Sequence, residues 1–413
     1  MLKYNLQENC VKRLIFILLI SLFLTASCGI NESKTQSETK ITESTSDIVT
    51  DHPETEIDTH TQTQALTESA LGTVTSPIAP AEQILAEMTL EEKVGQLFLA
   101  RNPQSEDEGI DTIKERHVGG IIFFARDFRH SSPEKFRAMI DNYNENANIP
   151  LLTAVDEEGG TVCRASLYSS FREEKFASPS ELYTEGGLER ILSDAAEKSE
   201  FLLDLGLNFN LAPVADISTD EEDFIFSRAL GLGKKETAEY VSEVVKVMEK
   251  KGILSALKHF PGYGNNEDTH TGIAYDKRSL ESIRENDLIP FEAGIRAGTP
   301  AVMVSHNIVE SIDPSLPASL SEKVMEILRS EMDFHGIIMT DDLSMDAIEN
   351  FTESGEAAVL AILAGADLLC CSDIERQHEA VLEAVRNGRI SEERLNESVL
   401  RIINMKLRYK ILS

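Results

Sequence analysis

From Ala81 to the C-terminus the chain repeats one alternation, a short apolar run of strand length followed by an amphipathic stretch of helical period. The runs are Val94 to Ala100, Gly120 to Ala125, Leu151 to Val155, Asn208 to Ala212, Ser255 to Lys258, Ala301 to Val304, Gly336 to Met339 and Asp367 to Cys371. Helical stretches such as Pro133 to Asn144, Lys235 to Lys251, Ser321 to Ser330 and Glu356 to Ala364 lie between them, with turn residues on their flanks. A strand that is apolar throughout is covered on both faces, which marks a parallel sheet, and parallel neighbours need a crossover helix between them. Eight such units over roughly 330 residues predict an α/β fold, a (β/α)8 TIM-like barrel forming a single catalytic domain. An open doubly wound sheet is the competing architecture. No GxGxxG follows the first run and no GxxxxGK[ST] occurs anywhere, which argues against nucleotide binding.

The residues ahead of this repeat have a different character. Lys12 and Arg13 precede an apolar run from Leu14 to Leu24, short for a bilayer span, so residues 1–28 read as an export signal. The run ends in Leu24-Thr25-Ala26-Ser27-Cys28, which resembles the lipobox of bacterial lipoproteins. That resemblance implies lipidation of Cys28 and an extracytoplasmic protein anchored to the bacterial cell membrane by lipid alone. Residues 29–80 are rich in Ser, Thr and acidic residues and lack aromatics, too little apolar surface to offset the entropy of ordering. They are expected to form a disordered tether, with a flexible reach on the order of 40 Å. Residues 81–413 would form the barrel. With Cys10 removed and Cys28 lipidated, Cys163, Cys370 and Cys371 remain, which predicts neither a disulfide framework nor a metal site. No cofactor is expected. A formal net charge of −32 argues against nucleic acid as a partner, because phosphate recognition needs a basic patch.

Charged residues gather just after the apolar runs. Asp156 follows the third, Asp216 the fourth, Lys258 and His259 the fifth, His306 the sixth, and Asp341 and Asp342 the seventh. In a barrel these ends converge on one mouth, and charge beside a buried strand is costly unless it has a partner or a task.

The segments Val155-Asp156-Glu157-Glu158-Gly159-Gly160-Thr161-Val162-Cys163-Arg164, Asn208 to Asp216, Lys258-His259-Phe260-Pro261-Gly262-Tyr263-Gly264 and Thr340-Asp341-Asp342-Leu343-Ser344-Met345 together resemble glycoside hydrolase family 3. Within it they are similar to the single-domain β-N-acetylhexosaminidases. The resemblance implies an exo-acting, retaining enzyme with Asp341 as nucleophile. The segment Asn265-Asn266-Glu267-Asp268-Thr269-His270 is similar to the loop whose Asp-x-His dyad is the acid/base of that branch, which implies His270 in this role with Asp268 behind it. An imidazole titrating near neutrality can protonate a leaving oxygen and then deprotonate water. Asp156, Arg164, Arg228, Lys258 and His259 carry over to the grip on the terminal sugar, where carboxylates accept from hydroxyls and cations donate. Arg126 and Arg129 compete with Arg228, whose setting Phe226-Ser227-Arg228-Ala229 departs from the family's Arg-Ser-Phe-Gly. Tyr263 stands where the family commonly has histidine.

The chain has no tryptophan, so an aromatic platform for a long glycan is not expected, and a pocket for one sugar fits better. By the same resemblance, with the eighth unit lying close to the end of the sequence, the second domain that supplies a glutamate acid/base in the β-glucosidase branch is not expected. A β-glucosidase or an N-acetylglucosaminide phosphorylase of the same family, and a sugar-binding lipoprotein without catalysis, are the rival readings. The carbohydrate partner is common to all of them.

Overall fold

The computed structural model describes residues 80–264, 272–352 and 355–412, all within one compact unit, Thr73–Ser413. Cys28, Asp268, His270 and the segment 29–79 lie outside the described residues.

Eight strands form the expected parallel sheet, in the order β10-β1-β2-β3-β4-β5-β7-β9. They are β1 (Phe98–Arg101), β2 (Gly120–Phe123), β3 (Leu152–Val155), β4 (Phe209–Asn210), β5 (Leu254–Phe260), β7 (Ala301–Val304), β9 (Ile337–Thr340) and β10 (Leu369–Cys371). Two short strands after the fifth and sixth barrel strands, β6 (Tyr275–Asp276) and β8 (Ile308–Val309), pair separately. The sheet closes where Met339 bridges Leu368 and the Thr340 amide donates to the Leu368 carbonyl at 3.1 Å. This is the TIM-like barrel, and a closed sheet leaves no edge to protect.

The first strand differs from its expected span. Val94–Gln96 are helical, because Thr89 and Glu92 form a capping box that starts the helix Leu90–Gln96, and the strand begins only at Phe98. Val94 is nonetheless buried, as a helix residue facing the core. The stretch from Ser321 to Ser330 is also interrupted, passing from an α-helix at Glu322–Glu326 into a π-helical turn at Ile327–Glu331. A long helix that the apolar pattern did not show, Pro179–Asp204, starts at the Ser178–Glu181 capping box. It is broken at its eighth and ninth residues, Gly186 and Gly187, whose backbone angles are not helical. No described helix is long and apolar enough to cross a membrane.

The helix Glu392–Arg408 seals the lower end of the barrel, where the strands begin. Fully buried Lys406 donates from Nζ to Gln96 Oε1 at 2.8 Å and to the Gly119 carbonyl at 2.9 Å. Buried Asp367, just before β10, accepts from Ser398 Oγ at 2.7 Å and Arg401 at 2.9 Å, and also from Arg329. This end is fixed by structural polar contacts. The chemistry collects at the other.

Candidate active site

At the upper end the strand termini surround a cavity of about 410 Å3, lined among others by Asp156, Arg164, Arg228, Lys258, His259 and Asp341. That is near the lower end of the roughly 300–1,000 Å3 range of small-molecule sites.

The third unit supplies three consecutive acids, and each has a different task. Asp156 accepts from Lys258 Nζ at 2.7 Å and lies 3.6 Å from Arg164 Nη2. Buried Glu157 turns into the chain behind it, accepting from the Arg164 and Ala165 amides at 2.9 and 2.8 Å and from Ser166 Oγ. The turn that permits this runs through Gly159, with φ +109°, where a Cβ would sit 2.1 Å from the Ala177 carbonyl oxygen. Glu158 reaches the opposite way and accepts from Arg228 Nε and Nη2 at 2.9 and 2.7 Å, while its Oε1 lies 2.6 Å from Lys258 Nζ. Burial alone would raise its pKa, but the Arg228 and Lys258 charges outweigh that and hold it well below the usual carboxylate range. Lys258 is in turn kept protonated: burial opposes its charge, and Asp156 and Glu158 raise its pKa.

Lys258 and His259 lie just before Phe260, the last residue of β5, where the register against β7 shifts between Leu257 and Phe260. Irregularities of this kind beside a site re-aim side chains. The Lys258–His259 peptide is cis. Asp216 accepts from His259 N at 3.0 Å, from His259 Nδ1 at 2.7 Å and from the Tyr263 amide at 2.7 Å. Arg228 Nη2 lies 3.0 Å from His259 Nε2. A guanidinium can only donate, so Nε2 accepts and the ring proton sits on Nδ1, pointing at Asp216. Arg228 is therefore built into the network, whereas Arg126 turns to the Asn102 carbonyl and Arg129 is exposed.

Asp341 follows β9. Its amide donates to the Val304 carbonyl at 3.1 Å, and its Oδ1 accepts from the Asp342 amide at 2.8 Å. Asp342 has a separate task, binding the next loop through the amides of Ser344 and Ser372 at 3.0 and 3.2 Å and through Ser372 Oγ. His306 is wholly buried between Ser319 Oγ, 2.7 Å from Nδ1, and the Asp342 carbonyl, 2.9 Å from Nε2. Cys370 lines the cavity, but burial and the neighbouring Asp342 and Asp341 charges push its thiol pKa well up. It is not a nucleophile at neutral pH.

Of the residues expected from sequence, Asp156, Arg164, Arg228, Lys258, His259 and Asp341 all line this one cavity, while Asp268 and His270 fall outside the described residues. Sequence reasoning missed Glu158 as a member of the network, and it placed Asp216 at the mouth without assigning it a partner. The signal was present in the Asp156-Glu157-Glu158 run and in the placement of Asp216 after the fourth strand.

The chain is similar in sequence and fold to known proteins. A "Beta-hexosaminidase" of Idiomarina loihiensis is 37% identical over 269 residues, covering 62% of this chain and 77% of that protein. A glycoside hydrolase family 3 β-N-acetylglucosaminidase from Paenibacillus superimposes with a TM-score of 0.74 at 34% identity, over 78% of this chain and 63% of that one. This chain thus spans less than two thirds of that protein. A β-N-acetylhexosaminidase from Beutenbergia cavernae superimposes with a TM-score of 0.69 at 25% identity, over 78% of this chain and 99% of its own. The model of the glycosyl hydrolase family 3 N-terminal domain matches residues 89–405, so the chain belongs to glycosyl hydrolase family 3.

Proposed function

We propose that this chain is an exo-acting, retaining β-N-acetylhexosaminidase that removes terminal β-linked N-acetylglucosamine from cell-wall or related glycans. The observation that carries this reading is the cavity of about 410 Å3, in which a saturated acid–base network on β3 and β5 faces the Asp341 side of the barrel. It is supported by relatives that bear the name β-hexosaminidase.

In this mechanism Asp156, Arg164, Arg228, Lys258 and His259 hold the sugar. Lys258 and Arg228 are locked by Glu158, so they meet the substrate without reorganising. Asp341 attacks the anomeric carbon as the bond to the leaving oxygen breaks, and His270, oriented by Asp268, gives that oxygen its proton. The glycosyl ester on Asp341 is then opened by a water whose proton returns to His270, so two inversions give retention. The enzyme works outside the cytoplasm, carried by the tether 29–80 and a lipid on Cys28.

Release of p-nitrophenol from the β-N-acetylglucosaminide and from the β-glucoside, with and without phosphate, tests the reading. Preference for the first substrate, with a rate indifferent to phosphate and free sugar as product, is expected. Preference for the glucoside, or a sugar phosphate product, would replace it with the β-glucosidase or the phosphorylase reading. No turnover of either substrate would leave a sugar-binding protein.

A further inference from the structure

On the other side of the loop that carries Asp341 lies a second cavity, of about 280 Å3. That is just under the roughly 300–1,000 Å3 range of small-molecule sites, which suits a single ring rather than a chain. It shares no lining residue with the catalytic cavity, yet the two alternate along one loop. Asp341, Asp342 and Met345 face the first, and Leu343, Ser344 and Ile348 the second. Its far wall is the helix Ile374–Arg386, through Arg376, Gln377 and the preceding Asp373. Asp342 ties the loop to this helix: its Oδ1 accepts from the Ser344 amide at 3.0 Å and from that of Ser372, next to Asp373, at 3.2 Å. A molecule seated in the second cavity therefore touches both attachments of the residue beside the nucleophile.

Leu343, Ile348 and Ala357 supply apolar surface, of the kind on which the C–H face of a sugar ring packs, while Ser344, Thr352 and Gln377 supply hydroxyl and amide groups. Charge of both signs is present. Glu349 and Asp373 disfavour an anion. Arg376, which stands 3.8 Å from Asp373 and makes no hydrogen bond among the described residues, disfavours a cation. A neutral molecule with several hydroxyls meets no like charge, and it donates to the acids while accepting from the guanidinium. Two polar atoms of the wall are also unpaired: Ser344 Oγ and Gln377 Oε1 are enclosed and have no hydrogen-bond partner, and Gln377 is only 3% exposed. A buried acceptor left unmade carries its desolvation penalty in full. A hydroxyl that draws either side chain round into a hydrogen bond removes that penalty, so the cavity favours a hydroxylated ligand over an apolar one.

We propose that this cavity is an effector site for a single neutral pyranose sugar, and that its occupation acts on turnover through the Asp341 loop. A ligand shifts a loop between arrangements only by binding one of them more tightly. Pairing with Ser344 or Gln377 supplies that difference, because the enclosed side chain must turn to meet the sugar, and Ser344 also holds Asp342 through its amide. The grip on the substrate sugar, at Asp156 and Lys258, lies on β3 and β5, on the opposite arc of the barrel from β9 and β10. It is left as it is, so kcat changes and KM does not. The inference goes beyond the hexosaminidase reading and does not depend on it.

The test adds methyl α-glucoside, a neutral pyranose of the wrong anomer for a β-specific enzyme, to the full chain turning over p-nitrophenyl β-N-acetylglucosaminide. Saturating glucoside should change kcat by about 3-fold or more while KM stays within about 2-fold. Gln377→Leu removes the unpaired acceptor and Ala357→Phe fills the cavity, and in each the response should vanish, with melting temperatures confirming that both variants fold. Arg386→Met, at the exposed end of the same helix and paired with Glu91, should keep the parent response. No response in the parent, a rise in KM alone, or a response that survives Gln377→Leu and Ala357→Phe would overturn the effector site. Failure to turn over the acetylated substrate would instead sink the hexosaminidase reading. Equilibrium dialysis with labelled methyl α-glucoside then decides the site by itself: binding to the parent that is lost in Gln377→Leu supports it, and no binding refutes it.

Discussion

Replacing Glu158 by Gln tests whether the sugar-holding residues are held by charge or by packing. In the parent, two carboxylates, Asp156 and Glu158, face two cations, Lys258 and Arg228. Lys258, at 1% side-chain exposure, and Glu158, at 2%, are out of water's reach. The substitution preserves shape but leaves the bidentate Arg228 contact without its charge and gives the two cations a single acid. Removing one partner of a buried pair costs about 3–5 kcal/mol, because the remaining charge stays desolvated. For a domain of roughly 330 residues that corresponds to a fall in Tm of about 4–7 °C. The pH dependence gives an independent signature. Because the folded-state pKa of Glu158 is depressed, its contribution is complete above the unfolded value of 4.5 and is lost as pH falls below it toward the folded value. Denaturant melts of parent and variant should therefore differ by a constant amount from pH 6 to 8 and converge below about pH 4.5. The double variant Glu158→Gln/Arg228→Met should recover part of the loss, since it removes one stranded charge. A loss under about 1 kcal/mol, or a difference that stays flat well below pH 4.5, would refute the argument that this network is electrostatically locked.

Three further outcomes are expected. Burial lowers the Lys406 pKa to about 7, so the unfolded chain binds the extra proton between that value and about 10.5, and parent stability should rise through this window by on the order of 5 kcal/mol. Lys406→Met should abolish that rise in denaturant melts, and an identical pH profile in both proteins would show that the lysine is already neutralised another way. Asp341→Asn should lower kcat by several orders of magnitude, while His270→Ala given an activated β-N-acetylglucosaminide should accumulate one sugar on the peptide containing Asp341. A mass spectrum with the adduct on Asp342, or an oxazoline with no adduct, would contradict the nucleophile. Cys28→Ala should move the enzyme from the membrane fraction to the soluble one, and a parent protein already soluble would remove the anchor.

The barrel was legible because its strands are apolar on both faces, and such runs have few other uses. All eight expected runs coincide at least partly with a strand of the sheet. Boundaries failed where periodicity was ambiguous. Val94 to Ala100 is a single apolar run, and only the Thr89 and Glu92 capping pair separates its helical first part from the strand that follows. The helix Pro179–Asp204 was hidden for the opposite reason, since the non-helical Gly186–Gly187 break near its start interrupts the period of its apolar face.

The site was half legible, and the line falls between residues that face the cavity and residues that hold them. Asp156, Lys258, His259 and Asp341 sit directly after strands, so the barrel rule alone brings them together. Glu157, Glu158 and Asp342 are their immediate neighbours, and nothing in a linear run of acids tells which carboxylate faces inward. The division is made by tertiary partners: Glu157 by the Arg164 and Ala165 amides, Glu158 by Arg228 from a segment seventy residues away, Asp342 by Ser344 and Ser372. Each partner consumes lone pairs that a solvated acid would offer to water, and so separates scaffold from site.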